Sequence, residues 1–262
     1  MALNAIQPNW PAPANVQALQ TTRQGGFSLA PYASLNLAMH VKDDEACVRQ
    51  NRQVLRTVLP SEPVWLNQVH GVTVLDAALV QGVPDADASY TRQAKQVCVT
   101  MTADCLPVLL CDRAGTVVSA VHAGWRGLCD GVIEAAVAKM AVAPSDILAW
   151  LGPAIGPNAF EVGHEVRAQF MQHDGQAALA FKPHANKWLA NLYVLAQQRL
   201  NALGVSQIYG GGIDQAFCTY SDAQHFFFIP ARSRDWPHGQ FDLDECLIAP
   251  CNLRSEAGIS KL

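Results

Sequence analysis

The chain has 262 residues, 50% of them hydrophobic and 15% charged, enough for one large domain with a well-buried core and too apolar for intrinsic disorder to be its main theme. Eighteen Lys plus Arg against 22 Asp plus Glu leave a formal charge of −4 and a pI near 6.0. No basic run could track a phosphate backbone, so nucleic acid is not an expected partner. No segment reaches the roughly 20 apolar residues that span a bilayer, and the first residues carry neither a positive leader nor an apolar core. The expectation is a cytoplasmic protein with no membrane partner. The 8 cysteines include no CxxC pair and read as thiols, one of them a candidate ligand, rather than as a disulfide framework.

Residues 1–20, with Pro8, Pro11 and Pro13, predict an extended entry segment. Thr21 to Gly26 reads as a strand end running into a turn. Asp43-Asp44-Glu45 opens a helix through about Leu59, with Val48, Arg52 and Leu55 at helical spacing. Val64 to Val69 alternates like a half-buried strand that ends at His70-Gly71, and Val72 to Leu75 continues beyond the turn. From Val97 the pattern changes to short apolar runs, Val97 to Thr102, Leu106 to Cys111 and Val117 to Val121. Such runs predict strands covered on both faces. The last runs into His122-Ala123-Gly124-Trp125-Arg126-Gly127, after which Leu128 to Met140 has helical periodicity. A strand at Ile147 to Leu151, a Gly/Pro loop, and helices near Glu161 to His173 and Lys187 to Leu203 follow. With no internal repeat and no Pro-rich linker between about 20 and 220, one mixed α/β domain is expected.

His70, Cys105 and His122 fall, on this reading, at the ends of three different strands, and strand ends can converge. Two imidazoles and a thiolate suit zinc or copper, and three protein ligands leave a fourth position open. Other uses of the same residues remain open. Cys105 could be a nucleophile with His122 or His70 as its base. A His at a strand end is also commonly a satisfied hydrogen-bonding group, and a Cys beside apolar strands a small buried hydrophobe. Asp104 could be a general acid or base, a cap, or a partner to a metal-binding His. Arg23 and Arg126 could contact a phosphate or carboxylate. Gly124, Gly127, Gly152 and Gly156 match no phosphate-binding glycine motif and are expected to serve turns.

The segments TTRQGGFS, SLNLAMHV, WLNQVHG, TADCLPVLL, AVHAGWRG, LGPAIGP and FEVG, running from Thr21 to Phe227, together resemble the bacterial laccase-domain proteins. These are also called polyphenol oxidase-like proteins and multifunctional purine nucleoside phosphorylases. The resemblance implies a single four-layer α/β/β/α fold, shared with the catalytic domain of cytotoxic necrotizing factors, and a metal held by His70, Cys105 and His122. It implies phosphorolysis of adenosine, inosine and methylthioadenosine, adenosine deamination, copper-dependent phenol oxidation, or a hydrolytic part in editing peptidoglycan precursors. Nucleoside and phosphate are then the small-molecule partners, Arg23 and Arg126 candidate contacts to them, zinc the expected ion and copper its alternative. Multicopper oxidases use repeated His-x-His patterns, which this chain lacks, so oxidase chemistry ranks below nucleoside chemistry.

The family pattern breaks after Phe227. Members typically continue Phe-Ser-Tyr-Arg-Arg-Asp, then Thr-Gly-Arg-Met-Ala-Ser and an apolar strand, whereas this chain continues Phe228-Ile229-Pro230-Ala231-Arg232. Read one base later, with permitted synonymous codons, Phe227 onward spells Phe-Ser-Tyr-Arg-Arg-Asp-Gln-Glu-Thr-Gly-Arg-Met-Ala-Ser-Leu-Ile-Trp. Residues 228–262 are therefore expected to be an out-of-frame tail following one extra base in a thymine-rich stretch. The run Gly210 to Phe217 is also longer than the usual family link.

Overall fold

The computed structural model describes residues 3–211 and 217–227, and the backbone of 251–252. The expected out-of-frame tail, apart from that backbone, and most of the long link before Cys218 lie outside the described residues.

A six-stranded sheet carries the fold. Its strands are β1 (Val74–Asp76), β2 (Ala88–Thr91), β3 (Leu106–Asp112), β4 (Val118–Ala123), β5 (Ile147–Leu151) and β6 (Gln207–Gly210), in the spatial order β6-β5-β3-β4-β2-β1. The central pairs are antiparallel, with Leu106 opposite Ala123 and Pro107 opposite His122. The outer pairs β5–β6 and β1–β2 are parallel. Every residue of β3, β4 and β5 is buried, which is why these segments read as continuous apolar runs rather than alternating ones.

Side-chain alternation along β3 sends its residues to two different cores. Val108 and Leu110 join α2 (Trp125–Asp130), α3 (Val132–Met140), α4 (His164–His173) and α5 (Leu192–Ala202) on one face. Leu109 and Cys111 meet Val16 and Cys98 on the other. These last two belong to a small sheet ordered Val16–Gln17, Cys251–Asn252, Val97–Cys98, Pro63–Val64. The small sheet's outer side is closed by α1 (Glu45–Arg56), whose Leu55 shares a third core with Leu37, Trp65, Val97 and Val99. The layers are thus helices, large sheet, small sheet and α1, a mixed α/β single domain of the four-layer kind that the resemblance implies.

Helix α1 starts where its acidic signal predicts, with the Asp44 side chain capping the N–H groups of Ala46 and Cys47. Its buried Asn51 ties down the preceding loop, accepting from Phe27 N–H at 2.7 Å and donating to Asn36 O at 2.6 Å.

Several expected elements differ. The helix expected over 128–140 is two helices, α2 and α3, broken at Gly131 with φ 102°. Glu161–Val162 and Lys187–Ala190 are strands of a three-stranded sheet, not helix starts. The helices begin after them, α4 following Gly163 and α5 capped by the Asn191 side chain. Of the run Val97 to Thr102, only Val97–Cys98 pairs as a strand. Beyond it the Gln68 amide replaces a neighbouring strand, accepting from Met101 N–H at 2.7 Å and donating to Met101 O at 2.6 Å. The alternating run Val64 to Val69 likewise joins a sheet only through Pro63–Val64, with a further bridge from Asn67 to Asp85. His70 therefore sits in a turn rather than at a strand end.

Candidate metal centre

His122 is the fifth residue of β4 and projects from the face that carries Val118 and Ala120, toward the small sheet. Across the strand pair, Cys105 immediately precedes β3, so the hydrogen-bonded register of β3 and β4 brings it to the same end of the sheet. Asp104, just before it, takes the left-handed conformation at φ 68°. Its backbone O accepts from Ile155 N–H at 2.9 Å and its carboxylate accepts from the Thr219 hydroxyl. These contacts hold the turn that presents Cys105.

His70 reaches the same point from the other side. Its turn, at φ 58°, is organised by Asp87, the residue before β2. The Asp87 carboxylate accepts from the backbone N–H groups of His70 at 2.8 Å and Gly71 at 2.7 Å, and more loosely from Val69. Its Oδ1 also meets His122 Nδ1 at 2.8 Å. With Nδ1 so engaged, Nε2 is left as the donor of His122. Asp87 is fully buried. Burial alone would push its carboxyl up, but the His122 hydrogen bond and charge, with the Gly71 and Val69 N–H groups, outweigh it and hold the pKa below the ordinary carboxylate range.

One ligand atom from each of His70, Cys105 and His122 lies within 4.8 Å of the others, and the two imidazole rings are 4.8 Å apart in an edge-on arrangement. Gly124 walls this cluster. A Cβ there would stand 2.6 Å from His70 Nδ1 and 3.0 Å from Cys105 Sγ, so the missing side chain is the space the ligands occupy. Gly127 plays a similar part in α2, where a Cβ would meet the Gly71 carbonyl at 2.7 Å. Both glycines permit close approach rather than the turns expected of them. Two nitrogens and a thiolate, one imidazole fixed by a buried carboxylate, form a donor set that fits a zinc-class ion.

The two arginines separate. Arg126 is exposed, with its guanidinium 4.6 Å from the Trp125 ring centre. Arg23 faces the chain itself: Nε donates to Ala33 O at 2.8 Å, Nη1 to Ala223 O at 3.1 Å, and the guanidinium stacks on Phe227 at 4.3 Å. These Arg23 contacts fasten 223–227 against the loop before α1. The sequence reading missed Asp87 and Gln68. No spacing marks them, since Asp85-Ala86-Asp87-Ala88 reads as an ordinary polar turn.

Residues 17–234 match the family described as multi-copper polyphenol oxidoreductase laccase. The chain belongs to this family. A Shigella flexneri protein named purine nucleoside phosphorylase YfiH is 55% identical over 228 residues, covering 85% of this chain and 91% of the relative. A Pseudomonas aeruginosa protein named purine nucleoside phosphorylase PA4543 is 51% identical, covering 87% of this chain and 93% of the relative. Among solved structures, the Neisseria meningitidis protein NMB0706 aligns with TM-score 0.84 at 43% identity over 95% of this chain and 99% of its own. YlmD from Geobacillus stearothermophilus aligns with TM-score 0.83 at 28% identity, covering 97% of this chain and 98% of its own. Membership in the laccase family implies metal binding, which agrees with the donor cluster. Among the described residues, no helix is long and apolar enough to cross a membrane.

Proposed function

We propose that this laccase-family protein is a zinc-dependent purine nucleoside phosphorylase acting on adenosine, inosine and methylthioadenosine, with adenosine deamination as a second activity of the same site. The observation that carries the reading is the His70, Cys105 and His122 cluster, whose ligand atoms all lie within 4.8 Å of one another. The names of the relatives in Shigella flexneri and Pseudomonas aeruginosa support it. Three protein ligands are the number that leaves a coordination position for water or substrate. An ion bound there supplies Lewis acidity toward a water or a purine leaving group.

The remaining work falls to the chain. Asp87 keeps the proton on His122 Nδ1 and so aims Nε2 at the centre. In phosphorolysis an oxygen of hydrogen phosphate bonds to the ribose C1′ as the C1′–N9 bond breaks, and the departing base takes the electron pair and the proton that the phosphate gives up. Arg126, exposed just beyond Gly124, is the cation we assign to the incoming phosphate. Arg23 positions the 223–227 segment. In deamination a water oxygen adds at C6 and ammonia leaves with a proton from that water, and no phosphate takes part. A cytoplasmic location fits these substrates and the absence of a disulfide among the described cysteines.

The family's description favours a second reading, copper-dependent phenol oxidation. It ranks lower because laccase chemistry uses several coppers, and among the described residues only one candidate group contains two histidines. A third reading makes Cys105 a nucleophile with His122 as its base.

Metal analysis of the purified protein, paired with adenosine and inosine assays with and without phosphate, tests the proposal on wild type and Cys105→Ala. Zinc at the centre, with phosphate-dependent base release lost in the variant, is the expected result. Base release that survives both Cys105→Ala and chelation overturns it, and phenol oxidation gained only on copper loading favours the second reading.

A further inference from the structure

A second cluster of ligand-bearing side chains lies away from the centre just described. Cys129 and Asp130 are the last two residues of α2, and His173 is the last residue of α4. The Cys129 Sγ, an Asp130 carboxylate oxygen and a His173 ring nitrogen all fall within 4.8 Å of one another. Cys129 is buried at the base, while Asp130 and His173 open onto solvent. The cluster therefore has a thiol floor and an accessible mouth.

Both signs of charge surround the Cys129 thiol. Burial pushes the Cys129 thiol up; the Arg199 guanidinium opposes this, and the Asp130 and Glu134 carboxylates add to it. Arg199 is already committed, donating to Cys129 O at 2.8 Å and to Glu134 Oε1 at 3.0 Å. The other Glu134 oxygen, Oε2, is buried and has no hydrogen-bond partner. A cation held at Cys129 would offset the repulsion that the Asp130 and Glu134 carboxylates exert there.

We propose that Cys129, Asp130 and His173 form a second metal site, one that takes a borderline-soft divalent cation of the zinc class and clamps the C-terminal end of α2 to that of α4. Sulfur, imidazole nitrogen and carboxylate oxygen are the three donor types zinc uses in proteins, with water completing a four-coordinate shell. Binding displaces the thiol proton and requires a neutral imidazole, so affinity rises with pH. The clamp is structural. Helix α2 starts at Trp125, directly after Gly124, so fixing its far end steadies the helix that leads out of the candidate catalytic centre. The proposal is independent of the nucleoside reading, since a structural ion here needs no substrate.

Zinc titration of the full-length protein in a Cys105→Ala background, which disables the first centre, tests it. About one zinc per chain is expected there, accompanied by a rise in Tm. His173→Ala and Asp130→Asn, both solvent-exposed and so tolerable to the fold, should each weaken binding by at least ~10-fold. With cobalt as the probe, a thiolate-to-metal absorption band should appear and be lost in Cys129→Ser. If the Cys105→Ala protein takes up no zinc, or takes it up equally well with His173→Ala and Asp130→Asn, the site does not exist.

Discussion

Asp87 and His122 are joined twice: the His122 ring meets the Asp87 carboxylate at 2.8 Å, and the His122 backbone N–H donates to the Asp87 carbonyl at 2.7 Å. Because the same carboxylate gathers the N–H groups of the His70 turn, one side chain sets the position of two of the three candidate ligands. Asp87→Asn would present an amide to His122 Nδ1, where the native carboxylate accepts a hydrogen bond from the ring. We expect a 10- to 100-fold loss of metal affinity at this centre, the usual scale for a partner that orients a ligand. Asp87→Ala should also destabilise the fold by about 3 kcal/mol or more, because several buried donors lose their acceptor at once. Competition with a chromophoric chelator and denaturant unfolding measure the two effects; unchanged affinity in Asp87→Asn would contradict the assignment.

Gly124→Ala separates a steric role from a conformational one. Gly124 has φ −58° and ψ 153°, a backbone that alanine adopts without strain. The added methyl would instead collide with His70 Nδ1 and Cys105 Sγ. The variant should fold with near-native Tm yet lose metal binding at this centre by at least ~10-fold, since the ligands themselves must move. Native affinity in a folded Gly124→Ala protein would show that the space is not needed.

The two arginines should part company in kinetics. Arg126→Ala is expected to raise the KM for phosphate by about 10-fold or more while leaving phosphate-independent adenosine deamination unchanged, and Arg126→Lys should recover part of the loss. Arg23→Ala should instead lower stability by about 1–3 kcal/mol through the carbonyls it leaves unpaired. A phosphate KM that moves with Arg23 and not with Arg126 would reverse the assignment.

Much of this was legible in the sequence, and the unread part has a physical pattern. The strand Leu106–Asp112 announced itself because both faces are buried and its first six positions are all apolar, and Asp44 marked the start of α1 because capping is local chemistry. Asp87 and Gln68 gave no signal because their roles depend on what the chain brings to them from 16 to 35 positions away. Helical spacing misled at Lys187–Ala190, where pairing with Phe181–His184 overrides local propensity. The candidate metal ligands stood out only as a trio of residue types. That His70 arrives on a turn rather than a strand became visible only with the Asp87 contacts.

Cys98 and Cys111, in the core between the two sheets, are both pushed up to about 12. Burial is the main cause for each; a Ser89 hydrogen bond partly opposes it at Cys98, while the charges of Asp76 near Cys98 and Asp112 near Cys111 reinforce it. Their protons are held more tightly folded than unfolded, so the stability this contributes is complete below about pH 9 and declines as pH rises toward 12. In native protein at pH 8, a thiol-exchange reagent should leave both unmodified until denaturant is added. Their labelling at the rate of the half-buried Cys47 or Cys218 would show that the core admits solvent.

The abrupt change after Phe227 makes a genetic prediction. Resequencing across codons 226–230 should reveal one extra base, and removing it should restore the family terminus and raise Tm. A clean, invariant reading frame in independent clones would show that the tail is the natural one.

The strands that carry Cys105 and His122 to the centre are closed to solvent, with β3 and β4 buried at every residue. Amide hydrogens in such a strand pair exchange only when the whole domain opens, yet the Asp130 and His173 mouth is open to solvent and the His70 turn is only half-buried. Ion exchange and backbone opening are therefore uncoupled events. An ion bound at either place would exchange through a turn or a surface mouth, while the frame that would recognise it lasts as long as the fold.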